Sequence, residues 1–183
     1  MLKVARLVDG KAVPLETPAV FCRETTAAST ERLTSCVPGG DVGLLLALMK
    51  VLEPPFFLLY ILHTPRGEGE PGRYQSPSVS AEVAEDFVSR FGDYLGADAR
   101  FDFWVHSPSS QATIVWDRHN QLFAYGPLER FEAVFLSRGF SEGLLPALGT
   151  HVHEYRSEFD TQAKSVLDAF EWIRTPLRPE DEQ

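Results

Sequence analysis

Between Phe101 and Gly126 the chain alternates apolar and polar positions through three short runs, separated by two turn-type clusters, Pro108-Ser109-Ser110 and Asp117-Arg118-His119-Asn120. Period-two alternation broken in this way predicts a three-stranded antiparallel meander over about 100–126. Successive strand residues face opposite sides. Phe101, Phe103 and Val105 therefore oppose Asp102, Trp104 and His106, while Ala112, Ile114 and Trp116 oppose Thr113, Val115 and Asp117. Trp104 thus shares a face with an acid and a histidine. That is the composition of an interface hot spot if the face is open, and of core if helices cover both faces.

The rest of the pattern supplies strands at 2–8 and 17–23, with Gly10 and Pro14 marking a turn between them, and a continuous apolar run at 56–63 that suits a covered central strand. The polar, small-residue stretch 24–40 reads as a loop or a poorly ordered connection. Asp41 is placed to cap an almost wholly apolar helix running to about Leu52. Ser80 opens a second helix whose apolar face is Val83, Phe87, Phe91 and Leu95. Pro127 and Gly139 bracket a third, with Leu128, Phe131, Val134 and Phe135 inward. Residues 148–155 form another strand, and a last helix from Ser157 turns Phe159, Ala163, Val166, Leu167 and Phe170 to the core before Thr175-Pro176 stops it. A consecutive meander within this order specifies an α+β protein: a mainly antiparallel sheet with about four helices packed on it. Residues 1–176 are expected to make one globular domain, and 177–183 a disordered acidic tail.

Composition narrows the choice of partners. The 183 residues are 44% hydrophobic and carry a net charge of -9. No basic stripe exists for a phosphate backbone, so nucleic acid is excluded as a partner and a basic protein is favoured. Cys22 and Cys36, with no CxxC, do not make a disulfide scaffold and are read as free thiols. The opening MLKVARLVDG lacks the apolar run of a secretory signal, which points to the cytoplasm. Residues 42–62 are long and apolar enough to raise the question of a membrane span. Lys50, Glu53 and Pro54-Pro55 fall in the middle, however, and each mid-bilayer charge costs roughly 2.5–3.5 kcal/mol, so the segment reads as helix, turn and strand with no membrane role.

Candidate chemistry is sparse. His151-x-His153 projects two imidazoles from one strand face, a spacing that suits a shared divalent metal; Asp117, His119 or His63 would have to supply the next ligand. In Asp117-Arg118-His119-Asn120, turn chemistry accounts for the outer residues, and a carboxylate-oriented general base is the functional alternative. No GxSxG elbow provides a nucleophile. The run from Gly67 to Gly72 matches GxGxxG in form only: Glu68 and Glu70 repel phosphate, Pro71 removes a donor, and no helix opens on it. It reads as a mobile acidic loop.

Two functions follow. The first is a non-enzymatic acidic cytoplasmic protein that binds or sequesters a protein partner through Trp104, Glu68 and Glu70, a character shared in composition with immunity and antitoxin proteins. The second is a small metal-dependent hydrolase with His151, His153 and Asp117 as ligands and His119 moving protons. The apolar helix at 42–52 also suits a homodimer interface.

Overall fold

The computed structural model describes residues 2–182. Twelve strands and five α-helices follow one another: β1 (Val4–Val8), β2 (Lys11–Pro14), β3 (Val20–Thr25), β4 (Glu31–Cys36), α1 (Val42–Met49), β5 (Phe57–Leu62), β6 (Gly72–Gln75), α2 (Ala81–Arg90), α3 (Gly92–Ala97), β7 (Phe101–Ser107), β8 (Ala112–Trp116), β9 (Gln121–Tyr125), α4 (Leu128–Ser137), β10 (Ser141–Glu142), β11 (His151–His153), α5 (Asp160–Leu167) and β12 (Ile173–Thr175). Nine strands form one sheet in the order β10-β3-β4-β9-β8-β7-β5-β6-β12, antiparallel except for β10 beside β3. The remaining three, β11-β1-β2, form a small antiparallel sheet. The α+β class and the meander β7-β8-β9 are as the alternation requires, within a sheet three times the meander's width.

All five helices contribute to one apolar layer on a single face of the large sheet. Leu33, Leu58, Tyr60, Phe103, Ile114, Trp116 and Leu122 point into it, and Leu44, Phe87, Leu95, Phe131 and Val166 meet them from the helices. The caps work as the sequence suggests: Asp41 accepts the Gly43 amide at 2.8 Å and Ser80 the Val83 amide at 3.3 Å. The second helix breaks at Phe91, because α3 must cross close to its neighbours. A Cβ on Gly92 would lie 2.8 Å from Val42, and a Cβ on Gly40 or Gly96 would meet the other's carbonyl oxygen. The break also corrects the expected face. Ala84, Phe87, Val88 and Phe91 are buried, whereas Val83 is 44% exposed.

Several other expectations are corrected. The stretch 24–40 is no loose connection: β3 runs to Thr25, a tight turn holds Ser29 at φ 62, and β4 pairs with both β3 and β9. Residues 11–14 are a strand of a β1-β2 hairpin, not a turn. The polar excursion after His63 contains β6, and the last helix stops at Leu167 so that Ile173–Thr175 can pair on β6 as an edge strand. The tail expected to be disordered forms a 3-10 turn over Pro179–Glu182, with Asp181 buried in an ion pair to Arg73. Among the described residues no helix is long and apolar enough to cross a membrane.

Candidate metal centre

Among the described residues no α-helix packs on the second face of the large sheet. It forms the floor of an open groove of about 1190 Å³, lined by Trp104, Asp117, His119, Gln121, Phe123 and Tyr125 among others. At one end of the groove sits the turn from β8 to β9. Asp117 builds this turn with one carboxylate oxygen, Oδ1, which accepts the amides of His119 at 2.9 Å and Gln121 at 2.7 Å. Asn120 takes the left-handed conformation (φ 62), accepts the Trp116 indole N–H at 3.0 Å and donates to the Val37 carbonyl at 2.8 Å. The other oxygen of Asp117, Oδ2, lies 3.0 Å from His119 Nδ1. Turn chemistry and imidazole orientation, posed as alternatives by the sequence, are thus served by the same side chain.

The small sheet brings the other two histidines. In β11, His151 lies opposite Arg6 and His153 opposite Val4 on β1, so both rings leave the strand on one side. The two sheets are tied at this point by Lys3. Its backbone carbonyl accepts the Glu154 amide at 2.8 Å, and its Nζ reaches across to the Asp117 carbonyl at 3.0 Å, between the Phe101 and Trp116 rings. Burial depresses the Lys3 ammonium to about 8, against the pull of Asp117, Asp102 and Asp98.

The outcome is a cluster of three imidazoles. One ring nitrogen from each of His119, His151 and His153 lies within 4.8 Å of the other two. The ring centroid of His119 is 4.8 Å from that of His153 and 5.3 Å from that of His151. His151 Nδ1 donates to the Gly149 carbonyl at 2.9 Å, and His119 Nδ1 is held by Asp117, which leaves Nε2 as the available ligand atom of both rings. His153 Nε2 is buried with no hydrogen-bond partner, and Nδ1 of the same ring is 3.4 Å from the Tyr155 hydroxyl. Burial, and after it the neighbouring His119, Arg118 and His151, lower the His153 pKa to about 4, so this ring is neutral with a free lone pair at neutral pH.

The arrangement fits a tetrahedral divalent ion after a small contraction. Metal–nitrogen bonds of 2.0–2.1 Å at tetrahedral angles place ligand nitrogens about 3.3 Å apart. The trio closes by at most about 1.5 Å to reach this. Asp117 stands one bond further out, as the carboxylate behind a ligating histidine. Of the three candidates for the next ligand, His119 lies in the trio, and Asp117 stands behind it as the hydrogen-bond partner of its Nδ1.

The other candidates fall elsewhere. His63 is not in the cluster; its Nε2 is 2.9 Å from Asp102 Oδ2, and Asp102 Oδ1 accepts the Arg118 amide at 2.7 Å. Burial opposes the charge of Asp102, but His63, that amide and Lys3 outweigh it and hold the carboxyl below its ordinary value. His106 is exposed beside Thr113. Trp104 lies on the open face, half-buried beneath Arg73, and the indole N–H has no acceptor. Glu68 is not offered to a partner: its side chain is 1% exposed and bound to Arg100, so the loop expected to be mobile and acidic is anchored inward. Glu70 alone of that pair is exposed, and its carbonyl accepts the Tyr74 hydroxyl.

Sequence reasoning missed Lys3 and the buried pair Asp98 and Arg100, which draws Glu68 inward. The one local signal was a lysine inside an apolar strand. No family model matches the chain, and neither a characterised protein nor a solved structure shows a significant match.

Proposed function

We propose that His119, His151 and His153 hold one divalent metal ion, with zinc the best-suited, and that the protein is a metal-dependent hydrolase. The observation that carries this reading is the convergence of three imidazole nitrogens within 4.8 Å, with the opposite nitrogen of two rings already pinned by hydrogen bonds. Three imidazoles, with no fourth protein ligand among the described residues, make the donor set of a catalytic zinc, which keeps a coordination position for water or substrate. Held by His119, His151 and His153, such an ion would lower the pKa of water and polarise a substrate carbonyl. The chain's own residues do the rest. Asp117 fixes the His119 ring, Gly149 fixes His151, and the groove ending at His119 admits the substrate.

Elemental analysis of untagged protein purified without chelator, paired with melting scans, tests the reading. Near-equimolar zinc and a rise of several degrees on zinc addition are expected from native-state binding. Metal well below stoichiometry, with no shift in melting, would overturn it.

A second reading, sequestration of a basic partner, is favoured by the net charge of -9 together with the half-exposed aromatics Trp104, Phe123 and Tyr125 on the open face. It expects the metal-free protein to bind a basic probe such as cytochrome c, with affinity falling as salt is raised from 50 to 200 mM. Absence of binding at 50 mM salt would remove it.

A further inference from the structure

The groove that reaches His119 is banded. Following the register across the open face, Leu59, Trp104, Val115, Phe123 and Thr34 stand opposite one another on adjacent strands. Two positions along, toward the histidines, comes a polar row of Asp102, Asp117 and Gln121. Two residues of strand separate the rows by about 7 Å. The apolar band is therefore central to the floor and one short group's length from Asp117, which orients His119.

The charged groups bordering the band have partners within the protein. Arg32 lies over the Phe123 ring at 4.3 Å and is paired with Glu24, Arg73 lies over the Trp104 ring at 5.4 Å and is paired with Asp181, and Asp102 and Asp117 are hydrogen-bonded to His63 and His119. The indole N–H of Trp104 is buried and has no acceptor of its own.

Facing this floor is the segment between β10 and β11. Residues 143–149 have no helix or strand, and Leu145, Pro146 and Leu148 line the groove. Gly149 has φ 63 with open space around it, and Leu144 is 92% exposed. An apolar strap thus stands across from an apolar band, and its far end, Gly149, carries the carbonyl that holds His151.

We infer that the groove binds a neutral amphiphile: a carbonyl compound, of the ester or amide class, whose aliphatic or aromatic group lies on the Trp104-Val115-Phe123 band against the 143–149 strap while the carbonyl reaches the histidine end. The inference rests on the hydrolase reading for the position of the carbonyl and on the banded floor for the rest. The reaction it implies is balanced by water alone: the hydroxyl oxygen joins the acyl carbon, the acyl–oxygen or acyl–nitrogen bond breaks, and the proton goes to the departing alcohol or amine.

Calorimetry on the chelator-treated, metal-free full chain tests the groove apart from the metal. Hexananilide and acetanilide share a neutral amide and a phenyl ring and differ by four methylenes. Full burial of one methylene gives about fourfold in affinity. Hexananilide is expected to bind at least tenfold more tightly than acetanilide. That advantage is expected to collapse both in Trp104→Ala and in Leu148→Ser, the latter a strap change outside the sheet. Equal affinity for the two amides, or an advantage that survives both substitutions, would overturn the inference. Turnover of phenyl hexanoate by the zinc-loaded chain decides the other question. Chain-length-dependent binding without turnover leaves the groove standing and removes the hydrolase.

Discussion

Arg100 is a fully buried cation, and its removal has a calculable effect. The guanidinium is 0% exposed and forms two bonds to Asp98, at 2.9 and 3.0 Å, one to Glu68 at 3.1 Å, one to the Arg156 carbonyl at 2.8 Å and one to Asp160 at 3.1 Å. Asp98 and Glu68 are as buried as Arg100 is, at 0% and 1% exposed, whereas Asp160 is 39% exposed and its pairing is screened by solvent. In Arg100→Met, Asp98 retains the amides of Arg100 and Arg156, but both buried carboxylates lose their cation. Breaking a buried pair from one side costs about 3–5 kcal/mol, because an uncompensated charge remains. For a domain of this size that corresponds to a fall in melting temperature of roughly 6–20 °C. Urea denaturation of the metal-free protein, followed by tryptophan fluorescence at constant m value, measures the loss directly. Arg66→Ala, which removes only the exposed pairing with Asp160, serves as a control and is expected to leave the midpoint unchanged. Adding Asp98→Asn and Glu68→Gln to Arg100→Met is expected to restore at least half of the loss, since the orphaned charges go with it. A loss below about 1 kcal/mol in Arg100→Met would refute the reasoning.

Three further outcomes are expected. Asp117→Asn keeps an acceptor for the turn but removes the carboxylate behind His119, and zinc affinity by competition titration is expected to fall about 10- to 100-fold with the fold intact; unchanged affinity would deny Asp117 the orienting role. Lys3 is depressed to about 8 in the fold and titrates near 10.5 when unfolded, so between these values the unfolded chain binds the extra proton and stability rises with pH. Urea midpoints of the metal-free protein at pH 8, 9 and 10 should show a contribution of that sign which vanishes in Lys3→Met; an identical pH profile in the variant would contradict it. Burial, with Asp117 and Cys22 nearby, pushes the Cys36 thiol up to about 11, and it also raises that of the less buried Cys22. At pH 8 iodoacetamide should therefore modify Cys22 slowly and Cys36 only after denaturation, as read by intact mass. Rapid labelling of both in the native state would be the contrary result.

What the sequence disclosed depended on how local the determining interactions are. The meander and the helices are written in periodicity, so β7, β8, β9 and α4 are legible within a residue or two, while α1 ends at Met49, short of the expected Leu52. β4 was hidden because its helix-facing side offers one large apolar residue, Leu33, followed by Ser35, and a lone leucine among threonine and serine looks like loop. β6 and β12 are four and three residues long, too short to establish a period; β6 pairs with the preceding strand β5, and β12 exists because it pairs with β6, far earlier in the chain. The last helix was drawn too long because Phe170 and Trp172 continue an apolar pattern although the chain has already left the helix to pack them on Phe87.

The same division runs through the site. That His151 and His153 share a face follows from strand alternation alone. That His119 joins them depends on the docking of two sheets through Lys3, which no local pattern reports. Glu68 and Glu70 look alike in sequence. One is buried because Arg100 lies across from it, 32 residues along the chain, and the other is left in water.

The central claim is a tris-histidine metal site, and the most direct measurement is calorimetric titration of zinc into the chelator-treated full chain and its single alanine variants at His119, His151 and His153. One zinc per chain with sub-micromolar affinity is expected in the wild type, and at least a 100-fold weakening in each variant while its metal-free melting temperature stays near that of the parent. Binding that survives in all three folded variants, or no binding to the parent, would contradict it.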